Sequence, residues 1–389
     1  MTTFTNPSLE VSDIFRKFDN LLGKIPLQHH KVIQAIKNCR TNVLGGHFLK
    51  CNHCNFKKKA YNSCRSRFCP KCQYLTQVKW VEKRCEELLP CEYFHVVFTI
   101  PCEYNPLVLR NKEVCYNILF KATSLTLKKV TAKVSGSEVE MGCIGVLHTW
   151  SQNLLDHPHC HYIVPGGTLN KKRTKWVKCS ENFLLPIKML SITFNEIFSE
   201  LMEKAFDGGD LQFTGDIEYL SHYANFRELL STCKQKDWVV YCKKPFAGAK
   251  QVLSYLGRYT HRIAISNYRL VKVVGDRVYF KVRDRKRLGE KKEMSLHVHE
   301  FMRRFLLHIL PKGFVKIRYF GLLGNRYKQE KIKIIRVLNN IIESLDSTED
   351  ESWKDLLKRI DDIDVDLCPN CKVGYLSITG EIPSLLNTA

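Results

Sequence analysis

Acidic side chains are in short supply in this chain. Its 39 Asp and Glu stand against 61 Lys and Arg, a formal net charge of +22 over 389 residues. Such a balance attracts polyanions, nucleic acid first and acidic membrane second. Long apolar runs are also lacking. No stretch approaches the roughly 18 apolar residues that a membrane-spanning helix needs, so none is expected. The opening residues, Met1 to Pro7, lack a basic n-region and an apolar h-region. No secretory signal is therefore expected, and the setting is read as intracellular. No Gly-rich phosphate loop occurs, which argues against an ATP-driven motor. No internal repeat is visible. No strongly amphipathic basic helix stands out, and the positive charge is spread over several segments, which favours nucleic acid over membrane.

What is present is enough for two or three domains with a sizeable core, at 44% hydrophobic residues. Seventeen cysteines in a reducing compartment do not suggest disulfides. Seven of them fall in metal-like clusters. Cys51-x-x-Cys54 and Cys69-x-x-Cys72 are two knuckles with Cys64 between them, a pattern for a four-thiolate zinc ribbon or finger. The expected ligands are Cys51, Cys54, Cys69 and Cys72, with Cys64 and His53 as spare donors. Lys50, Lys57, Lys58, Lys59, Arg65, Arg67 and Lys71 surround them, as suits a nucleic-acid contact surface. Cys368-x-x-Cys371 is one further knuckle near the end of the chain. Two thiolates do not complete a zinc shell, so it must borrow ligands or bind nothing.

Periodicity gives a coarse order of elements. Helix is expected before residue 45, from Val11, Ile14, Phe15 and Phe18 and then Val32, Ile33 and Ile36, and again over 73–89, 107–133, 187–206, 217–235 and 298–310. Residues 94–100, bounded by Pro90 and Pro101, read as a buried strand. His95 within it reads as a core histidine or one that supports a ligand. Val271 to Val282 read as a hairpin around Gly275-Asp276. Lys171 to Lys175 with Trp176 suit a single-stranded backbone and a stacked base, or equally a solvated hairpin tip. Lys281, Arg283, Arg285, Lys286, Arg287, Lys291 and Lys292, then Lys312, Lys316, Arg318 and Arg326, make a plausible clamp on phosphates. The acidic stretch 343–366 reads as a linker or an intramolecular polyanion mimic.

Two stretches carry chemistry. Four histidines lie between His148 and His161. In a strand, His159 and His161 share a face across the small apolar Cys160, so two imidazoles project together, as a divalent metal needs. Pro158 suits the entrance of that strand. A second strand, 143–148, ends at His148, which reaches the same metal if the strands pair. His157, Gln152 and His261 are the other candidates for a third ligand, with His157 second to His148. In the other stretch, Tyr255 and Tyr259 are four apart on an expected helix and share a face. Lys250, Arg258 and Arg262 add positive charge there and are expected to bind DNA.

These pieces together resemble the rolling-circle transposases of bacterial insertion sequences, the two-tyrosine HUH type with an N-terminal zinc module, known as the IS ninety-one group. The resemblance rests on the stretches 61–73, 93–101, 157–167, 255–262 and 303–313 and extends over nearly the whole chain. It implies an α+β fold, an HUH endonuclease core whose antiparallel sheet is flanked by helices, with a small zinc-binding module before it. It implies a metal-dependent single-strand DNA endonuclease and strand transferase. His159 and His161 then hold Mg²⁺ or Mn²⁺ with His148, and Tyr255 and Tyr259 are the nucleophiles. Zn²⁺ sits in the N-terminal module. The implied partners are single-stranded DNA of element ends and target, and host replication or helicase proteins. A cytoplasmic, nucleoid-associated location follows. Phe68 stands where relatives often have His, which gives Cys64 more weight as a ligand. The expected domains are 1–90 (helical segment and zinc module), 91–270 (nuclease core), 271–345 (basic DNA-binding region) and 346–389 (acidic linker and Cys-x-x-Cys tail). The rival readings are a replication initiator or relaxase with the same chemistry, and a non-catalytic zinc-dependent DNA-binding regulator.

Overall fold

A computed structural model of the chain describes residues 9–136, 138–179, 185–244, 253–254, 257, 263–283, 290–341 and 351–387. In chain order the elements begin with α1 (Val11–Phe18), α2 (Leu27–Asn38), β1 (Gly46–Cys51), β2 (Lys57–Tyr61), α3 (Tyr74–Glu86), β3 (Tyr93–Thr99), α4 (Asn105–Arg110) and α5 (Lys112–Ser135). There follow β4 (Val139–Glu140), β5 (Gly142–Trp150), β6 (Asp156–Pro165), β7 (Gly167–Asn170), β8 (Trp176–Lys178), α6 (Ile187–Asp207), α7 (Tyr223–Lys234) and β9 (Val240–Lys243). The rest are β10 (Leu270–Val274), β11 (Arg277–Arg283), β12 (Lys291–His297), α8 (Val298–Leu307), β13 (Ile317–Gly321), α9 (Lys328–Leu338), α10 (Trp353–Asp361) and β14 (Leu376–Ile382). Every described strand pairing is antiparallel. Among the described residues no helix is long and apolar enough to cross a membrane.

The elements form two compact units, and neither is a continuous stretch. The first draws on the described residues within Met1–Lys79, His261–Ile309 and Leu345–Ala389, the second on those within Trp80–Thr260 and Leu310–Ser344. The basic stretch expected as one region thus contributes to both.

The first unit holds two three-stranded sheets, β14-β1-β2 and β10-β11-β12. Its apolar core lies where α8 meets the second sheet and α1. Phe301 packs edge-on against Phe280 at 5.9 Å and Phe305 against Phe15 at 5.5 Å, arrangements that aromatic quadrupoles favour. The start of α1 is closed by a reciprocal capping pair between Glu10 and Asp13 and by the Val11 N–H donating to Asn267 Oδ1 at 3.1 Å. Part of the stretch expected to be a linker is the helix α10. Ser352 caps it by accepting from the Asp355 N–H. Its acidic neighbours pair locally, Glu351 with Arg359, Asp364 with Lys358 and Asp366 with Lys354, which offsets the repulsion that would otherwise keep such a segment extended.

The second unit is built on a five-stranded sheet in the order β13-β5-β6-β3-β9. One face is a closed aromatic core. Phe98, Tyr162 and Phe320 point to it, and Phe98 meets Phe194 of α6 at 5.1 Å. The Tyr162 hydroxyl shares a 2.6 Å hydrogen bond with Thr123 of α5, so its polar end is satisfied inside the core. The ring of Tyr162 lies over Gly145, its cross-strand partner. A Cβ at Gly145 would sit 2.7 Å from that ring, so only glycine fits. At one end of the opposite face, Tyr93, Ile144, Ile163, Leu169 and Leu253 form an apolar cluster, joined by Ile332 and Ile335 of α9 and by Trp80 and Val81 of α3. Trp176, weighed above as a base-stacking residue, packs inward on this cluster, its ring over Gly167. Lys171 to Lys175 form the hairpin tip instead.

Gly145→Ala is predicted to destabilise the second unit by about 1–3 kcal/mol through overpacking against Tyr162. Urea melts of the purified variant measure this; an unchanged midpoint would contradict the packing described.

Candidate functional site

The register of the central strands decides which side chains meet. His148 of β5 lies directly opposite His159 of β6, and His159 lies opposite Thr99 of β3. In the next row Val146, His161, Val97 and Tyr241 are neighbours. The row after that holds Ile144, Ile163 and His95. All lie on one face, because alternate residues along each strand share a side. One ring nitrogen each from His148, His159 and His161 lies within 4.8 Å of the others, a group that could hold a metal ion. The ring centroids are 4.2 Å apart for His148 and His161, 4.8 Å for His159 and His161, and 5.3 Å for His148 and His159.

Neighbouring groups hold these rings in place. His161 Nδ1 shares a 2.8 Å hydrogen bond with His95 Nε2, and the two rings stack 5.1 Å apart. His159 Nδ1 lies 2.6 Å from the carbonyl of His157, to which it donates as the Nδ1–H tautomer. In each ring these contacts engage Nδ1 and leave Nε2 as the nitrogen available to a metal, the usual way a supporting hydrogen bond sets such a histidine. Burial holds His148 and His161 well below the usual imidazole range, with the neighbouring imidazoles adding to the effect and Lys316 also acting on His148. Burial takes His95 down to about 4. His95, His148 and His161 are therefore neutral near pH 7 and able to donate lone pairs. On the other side of the sheet, burial raises Asp156 to about 7 against the pull of Lys112.

Pro158 is not at the entrance of β6. The strand begins at Asp156, and the pairing with β5 shifts register between His148 and Trp150. The bulge accommodates a residue with no N–H inside the strand. The His157 ring reaches 4.9 Å from His159, but its nitrogens are outside the three-histidine group.

The cysteines also assemble, in a different grouping from the one read in the sequence. Cys51, Cys54, Cys69 and Cys72 do not share a site. Cys69 and Cys72 meet Cys39 and Cys64, while Cys51 and Cys54 meet Cys368 and Cys371. The β1–β2 hairpin explains the division. Cys51 and Cys54 lie at its tip. Its base, where the Arg40 N–H donates to Asn62 O, lies beside Cys39 and Cys64. Five strand residues between tip and base amount to roughly 17 Å, too far for one ion. In the Cys39 cluster the sulfurs of Cys39 and Cys64 lie 3.4 and 3.6 Å from Cys72. None of the described cysteines is in a disulfide. Cys39 was passed over among the scattered cysteines, since nothing in its spacing marks it.

Tyr255, Tyr259, Lys250, Arg258, Arg262 and His261 lie outside the described residues. Leu253, two positions before Tyr255, is described and buried in the apolar cluster on the histidine-bearing face. Two further residues lie near the histidines: Tyr241, which carried no sequence signal, and Lys316, which was expected in the phosphate clamp but is buried. Tyr241, half exposed, is edge-on to His95 at 5.9 Å. Lys316 is a buried cation whose field reaches His148.

Comparison with known proteins places residues 142–331 in a family described as putative transposase and residues 11–100 in one described as a transposase zinc-binding domain. The chain is 43% identical over 379 residues to a putative transposase, y4qJ, of Sinorhizobium fredii, covering 96% of this chain and 95% of that protein. It is 27% identical over 304 residues to the transposase for insertion sequence element IS801 of Pseudomonas savastanoi pv. phaseolicola, covering 74% of this chain and 68% of that one. No solved structure matches it. The zinc-binding match and the cysteine clusters together support zinc in the N-terminal region.

The buried titrating groups predict a pH dependence. His95, His148 and His161 bind a proton near pH 6.5 when unfolded and only at lower pH when folded. Their contribution to stability is complete above about pH 6.5 and is lost as pH falls. Asp156 acts in the opposite sense, its contribution being lost as pH rises through about 7. Three groups outweigh one. Without added divalent metal, hydrogen-exchange protection of β3 and β6 is predicted to fall at least about tenfold from pH 7 to pH 5. Protection that holds or rises would contradict these burial assignments.

Proposed function

Because the chain belongs to the IS ninety-one group of insertion-sequence transposases, which act on DNA, we propose that it nicks and rejoins single-stranded DNA at its element's ends through a covalent 5′-phosphotyrosine link. The observation that carries this reading is the convergence of His148, His159 and His161 on one sheet face, the face on which Leu253 of the tyrosine-bearing segment packs. We read the five-stranded sheet as the HUH nuclease core on that ground.

The donor set fits a divalent ion. Three imidazoles, with no carboxylate in the group, suit Mn²⁺ better than Mg²⁺, which prefers oxygen ligands. When bound, such an ion polarises the scissile phosphate and offsets its developing charge. The remaining work falls to the chain's own residues. His95 and the carbonyl of His157 fix the rings of His161 and His159. Lys316 adds positive charge beside His148. Lys250, Arg258 and Arg262 hold the DNA backbone. One of Tyr255 and Tyr259 attacks the phosphorus with its hydroxyl oxygen. A P–O bond to tyrosine forms and the bond to the 3′ oxygen breaks. The phenol gives up its proton and the leaving oxygen gains one, which yields a 5′-phosphotyrosine and a free 3′-OH. The link conserves the phosphodiester energy, so rejoining needs no ATP. The second tyrosine accepts the other strand in a second transfer, which gives rolling-circle transposition.

The test is incubation with labelled single-stranded DNA carrying an element end. Tyr255→Phe and Tyr259→Phe are each expected to bind DNA as tightly as the unaltered protein. At least one is expected to lose the covalent adduct, and the double variant loses it entirely. An adduct formed by the double variant would sink the mechanism.

A further inference from the structure

Beyond the transposition reading and the zinc of the N-terminal region, we infer that the chain carries a second structural zinc site, made by Cys51 and Cys54 with Cys368 and Cys371, which fastens the C-terminal strand β14 to the β1–β2 hairpin. The zinc-binding family match ends at residue 100 and assigns nothing to Cys368 or Cys371.

The geometry is that of a thiolate shell. A tetrahedral ion with Zn–S of about 2.3 Å sets its sulfurs about 3.8 Å apart. Cys51 Sγ lies 3.8 Å from Cys371 Sγ, and Cys54 Sγ lies 3.7 Å from Cys368 Sγ. All four sulfurs fall within 4.8 Å of one another. These separations are well beyond the roughly 2.05 Å of a disulfide. The two knuckles are alike in backbone. The residue after the second cysteine has positive φ in each, 56° at Asn55 and 55° at Lys372. In each knuckle N–H groups aim at a sulfur. Those of His53 and Cys54 donate to Cys51 Sγ at 3.3 and 3.5 Å, and that of Gly374 donates to Cys371 Sγ at 3.3 Å. Asn370 Nδ2 also reaches Cys54 Sγ at 3.6 Å. Gly374 is required at its position. A Cβ there would lie 2.7 Å from Cys51 Sγ and 2.5 Å from His53 Cβ.

The sheet shows why an ion is needed. Three strands hold together in water only with a buried apolar face or a packing partner. In β14-β1-β2 the strand residues β2 and β14 contribute are all at least partly exposed, and β1 buries only Gly46 and Cys51. Phe48 and Ile378 face solvent. So little burial does not offset the cost of ordering a strand more than 300 positions distant in sequence. Metal binding at the Cys51 end, where β1 pairs with Leu376, supplies what the core does not. The exposed Lys57, Lys58, Lys59 and Lys372 balance the negative charge of a four-thiolate zinc.

The test counts thiolate-bound metal in the full-length protein. Elemental analysis identifies the metal, and the sulfur-to-cobalt absorption of Co²⁺-substituted protein counts the sites without interference from the histidines. Two thiolate-bound ions per chain are expected in the unaltered protein. The double variant Cys368→Ser/Cys371→Ser is expected to keep one and lose half the absorption. Cys371→His, which offers a different ligand, is expected to keep both ions with an altered visible spectrum. A single thiolate-bound ion in the unaltered chain, or undiminished absorption in the double serine variant, would overturn the site. Iron in place of zinc would overturn the choice of metal.

Discussion

The antiparallel register between β5 and β6 is the constraint on which the candidate site depends. It sets His148 directly opposite His159 and Val146 opposite His161. A slip of one residue would turn His159 and His161 into the aromatic core and bring Cys160 to the histidine-bearing face. The register is held by what lies on the other side. Tyr162 fits over Gly145, hydrogen-bonds to Thr123 and packs against Phe98 and Phe320. The core face therefore fixes the histidine-bearing face, and the histidines contribute burial costs that the core must offset. That His148 and His161 are buried and neutral is a cost in folding and a benefit in ligation, since a protonated ring donates no lone pair.

Much of this was legible in the sequence because the relevant spacings are local. The alternation His159-Cys160-His161 announces a strand face. Val11, Ile14 and Phe15 announce α1, and the run Phe94 to Ile100 announces β3. The acidic stretch was misjudged in part, because its composition alone did not show that Asp364 and Asp366 meet Lys358 and Lys354 around α10. Pro158 was set at a strand entrance because a missing N–H usually ends pairing. The bulge that admits it depends on the partner strand and is invisible in one sequence.

The cysteines show the same limit more sharply. Adjacent knuckles are ordinarily read as one zinc shell, and Cys51, Cys54, Cys69 and Cys72 invite that reading. A hairpin between them carries one pair to its tip and leaves the other at its base. The partners then come from Cys39 and Cys64 on one side and from the far end of the chain on the other. What the sequence did register was a deficit, since Cys368 and Cys371 needed two more ligands. Unmet valence in one motif is thus information about a distant one, even when spacing does not say where.

The central proposal is that the sheet gathers three imidazoles into one divalent-metal site on the face where Leu253 packs. The position of Mn²⁺ in an anomalous difference map of the crystallised protein tests it most directly. The account predicts one peak on this sheet face, within coordination distance of His148, His159 and His161 together. A peak held by His157 or Gln152 in place of His148, or no peak on this face at saturating Mn²⁺, would contradict it.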